Sequence, residues 1–491
     1  MMLCVEPDFT TAEVSQAVPS EECLAHARAS LVTSLPKTGL GFEHIKKHLL
    51  TDIAPAFTGS SRCPNYYAYT TGAVTDAALY ADWIASTYDQ NVQVHLPNES
   101  IATTLESTTL RLLQQLLSIS ETDFPGRIFT TGATASNLVG MALGREFVVA
   151  EASRRIGLPA HPASIAELGI LEACARAGVH DVQILATAPH SSLYKAASVV
   201  GIGRDSVVLL PRSEEEPWRF DMEALAGRLA ADATASIIFV SAGEVSAGRF
   251  ATNADEMAEI RALADRHGAW VHVDGAFGLQ ARVLPHTEAY TALTDGVAAI
   301  QLADSITGDA HKLLNCPYDC GFFFTRHLDL QQAVFRNPNS AYLSTTARAV
   351  PSPLNLGLEN SRRFRALPVY ASLLAHGRTW HQDLLERQVA LARRIAAYIV
   401  GSPAYELLPN ADIGRVYMVV LFRARSEALN ARLVACINAF KHLHVSGLPW
   451  RGRSAARLAV GTWRVDVERD FTVVVEVLEA VVRDHSDRTT A

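Results

Sequence analysis

The sequence predicts an α/β protein with a mainly parallel sheet in its large domain and a smaller α+β domain at its C-terminus. Three observations predict it. Short apolar runs at 182–186, 207–210, 237–240 and 270–273 alternate with helical stretches at 222–231 and 254–267. Strands that are apolar throughout are buried on both faces, the condition of a parallel sheet covered by helices. Beyond residues 362–368 the pattern changes to helices with a few strands, which marks a separate α+β domain. The length of 491 residues, 49% of them hydrophobic and 19% charged, fits two or three globular domains with a large core.

The charge pattern narrows the classes. The net charge of −8 is spread along the chain, with no basic run of the kind that binds nucleic acid and no acidic tail. Residues 1–16 carry acids and no Lys or Arg, so a secretory signal is not expected. No apolar run approaches ~18 residues, so no membrane span is expected. Seven cysteines are scattered along the chain. Only Cys316 and Cys320 stand close together, and no second pair completes a zinc site, so no metal is expected. Reduced thiols in a cytoplasmic protein are the simplest reading.

From the N-terminus, 21–34 and 39–50 read as short helices separated by Pro36 and Gly39. The tyrosine-rich stretch 65–72 reads as a core strand. Thr75 is placed to cap a helix running to about residue 87. An amphipathic helix follows over 100–117, with Leu105, Leu112, Leu113 and Leu116 on one face. A strand at 128–130 enters Thr131-Gly132-Ala133-Thr134, and a helix begins near Ser136. Small and hydroxylic residues at a helix start leave backbone N–H groups free for an anion. Residues 151–178 read as helical with a break at 157–162. Residues 322–325 form a further strand. The stretch 335–353 is long, polar and interrupted by prolines, the pattern of a disordered or functional loop. A long helix bent near Gly377 spans 368–398. Strands at 415–422 and 456–460 flank a helix at 426–440, and a helix at 471–482 closes the chain.

The chemistry gathers at 304–315. A strand leaves the core there, Gly308 marks a turn at its end, and His311-Lys312 sits on that turn. Upstream, the strand 270–274 ends in Asp274, followed by Gly275 and Ala276, which let a flat ring approach the backbone. An acid and a lysine at adjacent strand ends are what pyridoxal phosphate (PLP) requires. The lysine holds the aldehyde as a Schiff base and the acid pairs with the pyridinium nitrogen.

With residues 129–137 and Pro189-His190-Ser191-Ser192 ahead of it, this pair resembles the group II PLP-dependent amino acid decarboxylases. That family includes the aromatic-L-amino-acid, glutamate, histidine and cysteine-sulfinate decarboxylases. The resemblance runs from about Pro64 to the C-terminal region, where 457–464 matches the family's C-terminal strand. It implies the PLP-dependent transferase-like fold of the type I aspartate aminotransferases. It divides the chain into an N-terminal extension, 1–75, packing on a dimer partner, a PLP-binding domain, 76–365, and a small domain, 366–491. It implies that Lys312 and Asp274 hold the cofactor with Ala133, Thr134 and His311. His190 then lies on one ring face and Ala276 on the other. Tyr342 matches the tyrosine of the family's mobile loop and is the candidate proton donor, with His190 as the alternative. Tyr69, Val92 and Val94 are candidate pocket residues. These favour an aromatic or apolar amino acid over an acidic one, although Arg62 offers a cation. Leu313, Ala133, Ser136 and Gly275 depart from residues common in the family, which loosens any inference about substrate. The implied reaction is decarboxylation of an L-amino acid to amine and carbon dioxide. The alternatives are an aldehyde synthase or carbon–carbon lyase on the same fold, or a non-catalytic scaffold.

Overall fold

The computed structural model describes residues 13–158, 164–337 and 350–490. It divides into two units, one of Val74–Val389 with Asp412–Tyr417, the other of Met1–Ala73, Ala390–Ala411 and Met418–Ala491.

In the second of these units, α1 (Glu21–Ser30) and α2 (Phe42–His48) form over the two stretches expected to be helical. Ser20 caps α1 by accepting the Cys23 N–H. Their surroundings stay unusually apolar: Leu35, Phe42 and Phe57 are 96%, 76% and 68% exposed. The tyrosine-rich stretch is not a core strand. Tyr66 makes only an isolated bridge to His444, and Tyr69, at φ 60° and 67% exposed, turns the chain away. Of its three tyrosines Tyr67 alone is buried, its N–H on the His444 carbonyl. The sheet of this unit is antiparallel, in the order β10-β11-β9-β8, from β8 (Tyr405–Leu408), β9 (Val419–Ala424), β10 (Ser446–Trp450) and β11 (Arg453–Ala459). Sequence periodicity did not show β8 or β10, which are short and, in β10, alternate with exposed residues. The helix expected at 426–440 is two pieces, Glu427–Asn430 and Leu433–Asn438.

The larger unit is built on the mainly parallel sheet. Helices α3 (Asp76–Tyr88, capped by Thr75) and α4 (Ala102–Leu116) lead into β1 (Gly126–Thr130) and α5 (Ala133–Arg155). Helices α6 (Ile165–Leu168) and α7 (Ile170–Ala177) precede β2 (Asp181–Ala186), α8 (Ser192–Val199) and β3 (Val207–Leu209). Then come α9 (Met222–Leu229), β4 (Thr234–Ser241), α10 (Ala254–His267), β5 (Trp270–Asp274), β6 (Ser305–Asp309) and β7 (Gly321–Thr325). The sheet order is β1-β7-β6-β5-β4-β2-β3. The five strands β3, β2, β4, β5 and β6 run parallel, and β7 is antiparallel to both β6 and β1. Register places Ser241 beside Asp274 and Asp274 beside Thr307. The carboxyl ends of β4, β5 and β6 therefore share one edge, the place where open parallel sheets bind ligands.

Gly308 is not a turn. It lies inside β6 opposite Phe322, where an added Cβ would stand 2.2 Å from Phe322 Cζ. The glycine makes room for a phenyl ring, and the turn comes after Asp309. The long helix Ala366–Gly401 does break at Gly377, with φ 66° and ψ 177°.

One buried ion pair braces the start of the sheet. Arg362 donates to Glu106 at 2.9 Å and to the carbonyls of Val92 and Phe129 at 3.0 and 2.8 Å. Both side chains are almost wholly buried, and burial raises the Glu106 pKa while Arg362 opposes the rise. Arg362→Met strands that carboxylate and two carbonyls in the core. The expected loss is about 3–5 kcal/mol of stability, read as a lower denaturant midpoint.

Candidate active site

Lys312 is placed by the end of β6. The strand finishes at Asp309, and the chain turns through Ala310 and His311 to reach the lysine. Asp309 is 2% exposed, and its Oδ2 lies 3.0 Å from Lys312 Nζ and 3.6 Å from His311 Nε2. Its Oδ1 accepts the Ala133 N–H at 2.7 Å, which ties the lysine turn to the start of α5. His311 accepts the Cys320 N–H on Nδ1 and packs on Tyr318, ring centroids 4.4 Å apart. Burial lowers the His311 pKa, with the Asp309 charge opposing. Lys312 Nζ stands 6.0 Å from the centre of the Phe277 ring.

The start of α5 is a tight cradle. Gly132 has φ 144°, and a Cβ on it would approach His311 Cε1 to 3.2 Å. Gly321 presses from the neighbouring strand, where a Cβ would come within 2.5 Å of Gly132 Cα. The first intrahelical bond runs from Ser136 N–H to Gly132. Thr134 and Ala135 therefore present first-turn N–H groups beside Ala133, at the positive end of a 23-residue helix.

Asp274 ends β5 and is 7% exposed. Its Oδ1 accepts the Ala276 N–H at 3.1 Å and its Oδ2 accepts Asn137 Nδ2 at 2.8 Å. Asn137 also donates to Ser192 Oγ at 3.3 Å, and Ser192 Oγ lies 2.9 Å from His190 Nδ1. Asn137 thus joins Asp274 to His190 by way of Ser192, while Ala276 is bonded to Asp274 directly. Asp309 joins Ala133, His311 and Lys312. Of the candidate pocket residues, Val92 is fully buried, Val94 is half-buried, and Tyr69 belongs to the other unit. Tyr342 lies outside the described residues.

Asp309 and Asn137 were not singled out by sequence. The available signal for Asp309 was a charge at the end of an otherwise apolar and small-residue strand, since acids are rarely buried without a partner. Burial pushes the Cys316 thiol up to about 12 and Cys320 higher than the usual thiol range, so neither is a nucleophile here. The six described cysteines are free, and no group of three or more metal-binding side chains occurs among the described residues. No described helix is long and apolar enough to cross a membrane.

A family model for the pyridoxal-dependent decarboxylase conserved domain matches residues 25–425. The chain belongs to that family. It is 29% identical over 317 residues to an L-2,4-diaminobutyrate decarboxylase of Acinetobacter baumannii, covering 63% of this chain and 58% of that one. It is 26% identical to tryptophan decarboxylase 1 of Oryza sativa subsp. japonica, covering 88% and 83%. The crystal structure of Oryza sativa TDC with PLP and tryptamine superposes with a TM-score of 0.80 at 22% identity, over 96% of this chain and 94% of that one. A Rhodiola rosea 4-hydroxyphenylacetaldehyde synthase gives 0.77 at 18% over the same shares. The fold is that of the type I PLP-dependent enzymes, the cofactor is PLP, and the protein is a PLP-dependent carboxy-lyase. The site fits the cofactor: an anion cradle at α5, a lysine and a carboxylate lie at one sheet edge, on adjoining strand ends.

Two buried imidazoles give the enzyme an acid-sensitive core. Burial depresses His272 to about 3 and His381 to about 4 from 6.5. Each takes up a proton on unfolding, so their contribution is complete above about pH 6.5 and declines as pH falls toward those values. The denaturant midpoint is expected to be lower at about pH 5 than at about pH 7, and a midpoint unchanged over that span would contradict the neutral assignment.

Proposed function

We propose that this enzyme decarboxylates an aromatic or apolar L-amino acid to its amine, working as a homodimer. The observation that carries the reading is the placing of Asp274 and Lys312 at the ends of adjacent strands, with the start of α5 tied to the lysine turn by Asp309. Bound PLP supplies an electron sink for the bond between Cα and the carboxylate. Lys312 would hold the cofactor at its aldehyde, and Ala133 and Thr134 would hold its phosphate. Asp274 would keep the ring nitrogen protonated, and His190 and Ala276 would hold the ring. His311 supports the turn. Tyr342 delivers a proton to the substrate's Cα. The exposed Leu35, Phe42 and Phe57 support the dimer, because a second copy is the simplest cover for them.

Similarity to the tryptophan decarboxylase supports the aromatic reading, with Val92 and Val94 as apolar candidate pocket residues. A basic substrate is the second reading, favoured by the 29% identity to the diaminobutyrate decarboxylase. A screen of amino acids by carbon dioxide release, with products read by mass spectrometry, decides between them. Turnover of L-2,4-diaminobutyrate alone would overturn the aromatic assignment. The same assay tests the product. In air, Tyr342→Phe is expected to collapse amine output while part of the carbon dioxide release survives, with dissolved oxygen consumed and aldehyde, ammonia and hydrogen peroxide appearing. Unchanged amine output in that variant would move the proton donor to His190.

A further inference from the structure

Behind Asp274 lies a chain of hydrogen bonds that the catalytic reading does not use. Asn137 Oδ1 is 3.0 Å from His272 Nε2. His272 Nδ1 is 2.7 Å from Ser305 Oγ, and Ser305 Oγ accepts from Trp270 Nε1 at 3.1 Å. Asn137, His272, Ser305 and Trp270 are all fully buried. We propose that Asn137 and His272 are positioning residues that fix the Asp274 carboxylate against the cofactor's ring nitrogen. The proposal rests on Asp274 being the partner of that nitrogen.

Chemistry fixes the direction of every bond. A carboxylate only accepts, so the Asn137 amide turns its NH₂ toward Asp274 and its oxygen toward His272. That oxygen needs a hydrogen, so the imidazole carries its proton on Nε2. Nδ1 is then an acceptor and takes the Ser305 hydroxyl, which in turn takes the Trp270 N–H. Each donor points along the chain toward Asp274. Burial holds the imidazole neutral, as this single tautomer requires. Thr307 Oγ1, at 3.4 Å from Nε2, is the weaker competitor for the same proton. The second Asn137 N–H goes to Ser192, whose hydroxyl meets His190. One amide therefore orients the group beneath the ring nitrogen and the group proposed to cover the ring.

The helix is cut to receive this chain. A Cβ on Gly140 would lie 2.5 Å from His272 Cε1 and Nδ1, and one on Gly144 would lie 2.9 Å from Trp270 Cδ1. Two glycines one turn apart weaken a helix interior relative to alanine. Here they make the slot in α5 into which β5 inserts its histidine and tryptophan. Phe239 on β4 and Phe323 on β7 pack against the imidazole.

The test compares binding of two ligands to the apoprotein: PLP and its 1-deaza analogue, in which C–H replaces the ring nitrogen. Both have the aldehyde and the phosphate, so the ratio of their affinities isolates the contact at that nitrogen. Wild-type protein is expected to prefer PLP, and Asp274→Asn to abolish the preference. His272→Leu and Asn137→Ala should narrow the ratio about tenfold, the scale of one hydrogen bond to a charged group, with binding of the analogue unchanged. His272→Gln, whose amide still donates to Asn137, should restore most of it. Should the leucine variant not fold, Ser305→Ala breaks the chain with little change in volume and should narrow the ratio in the same sense. If Asp274→Asn leaves the ratio intact, the assignment of Asp274 fails. If Asp274→Asn abolishes the ratio while His272→Leu, or its substitute Ser305→Ala, leaves it intact, the hydrogen-bonded chain fails. Equal weakening of both ligands would also overturn it, since that is the signature of a general structural loss.

Discussion

Lys312→Ala is expected to yield a protein to which borohydride cannot fix the cofactor, with turnover lowered by on the order of 10³-fold or more, the scale on which removing a covalent participant costs an enzyme. The wild-type protein is expected to be yellow, and borohydride should fix the cofactor to Lys312 alone. The expectation rests on position. Lys312 is the cation at the end of β6, held 3.0 Å from a buried carboxylate that is itself bonded to the first N–H of α5. In the alanine variant the phosphate cradle is intact, so PLP should still bind, reversibly and with lower affinity. Peptide mapping of the reduced wild-type protein is the deciding measurement. Label on Lys195 or any other lysine would refute the assignment, as would label surviving in the variant.

The sequence carried the frame of this site better than its wiring. Apolar runs such as those of β4 and β5 announce buried parallel strands because both faces are covered, and hydroxyl-rich helix starts announce anion sites because free N–H groups need an acceptor. Asp274 and Lys312 were legible as an acid and a lysine at strand ends. Asn137 was visible only as one letter in a motif, since its role depends on Asp274 and His272 arriving from one other segment and Ser192 from a second. Gly308 misled for a related reason. Alone it reads as a turn, but its cause is the Phe322 ring on the neighbouring strand, which no local window contains. The tyrosine stretch failed because β propensity ignores the backbone at Tyr69, whose positive φ breaks any strand there. In the C-terminal sheet, β10 was hidden by a Gly and a Pro in its five residues, composition that normally argues against a strand.

Asp274→Asn is expected to keep the cofactor and lose about 10²–10³-fold in turnover, the usual cost of one preorganised electrostatic contact. The substitution preserves shape but removes the charge that holds a proton on the ring nitrogen. It also disturbs what lies behind. Asn137 presents its NH₂ to Asp274 Oδ2 at 2.8 Å, and an asparagine at 274 satisfies that donor only with its own oxygen turned toward Asn137. Its NH₂ then faces the Ala276 N–H, which now donates to Asp274 Oδ1 at 3.1 Å, so one bond is lost whichever way the amide turns. Two donors facing each other in a site that is 7% exposed make the variant less stable as well as slower. The rate measurement separates these effects when made on protein saturated with PLP and shown by spectroscopy to be folded and coloured. Near-normal turnover under those conditions would mean that a group other than Asp274 holds the ring nitrogen's proton. A loss of the expected size, with colour retained and the imine still reducible onto Lys312, places the defect in the electronics of the ring rather than in cofactor capture.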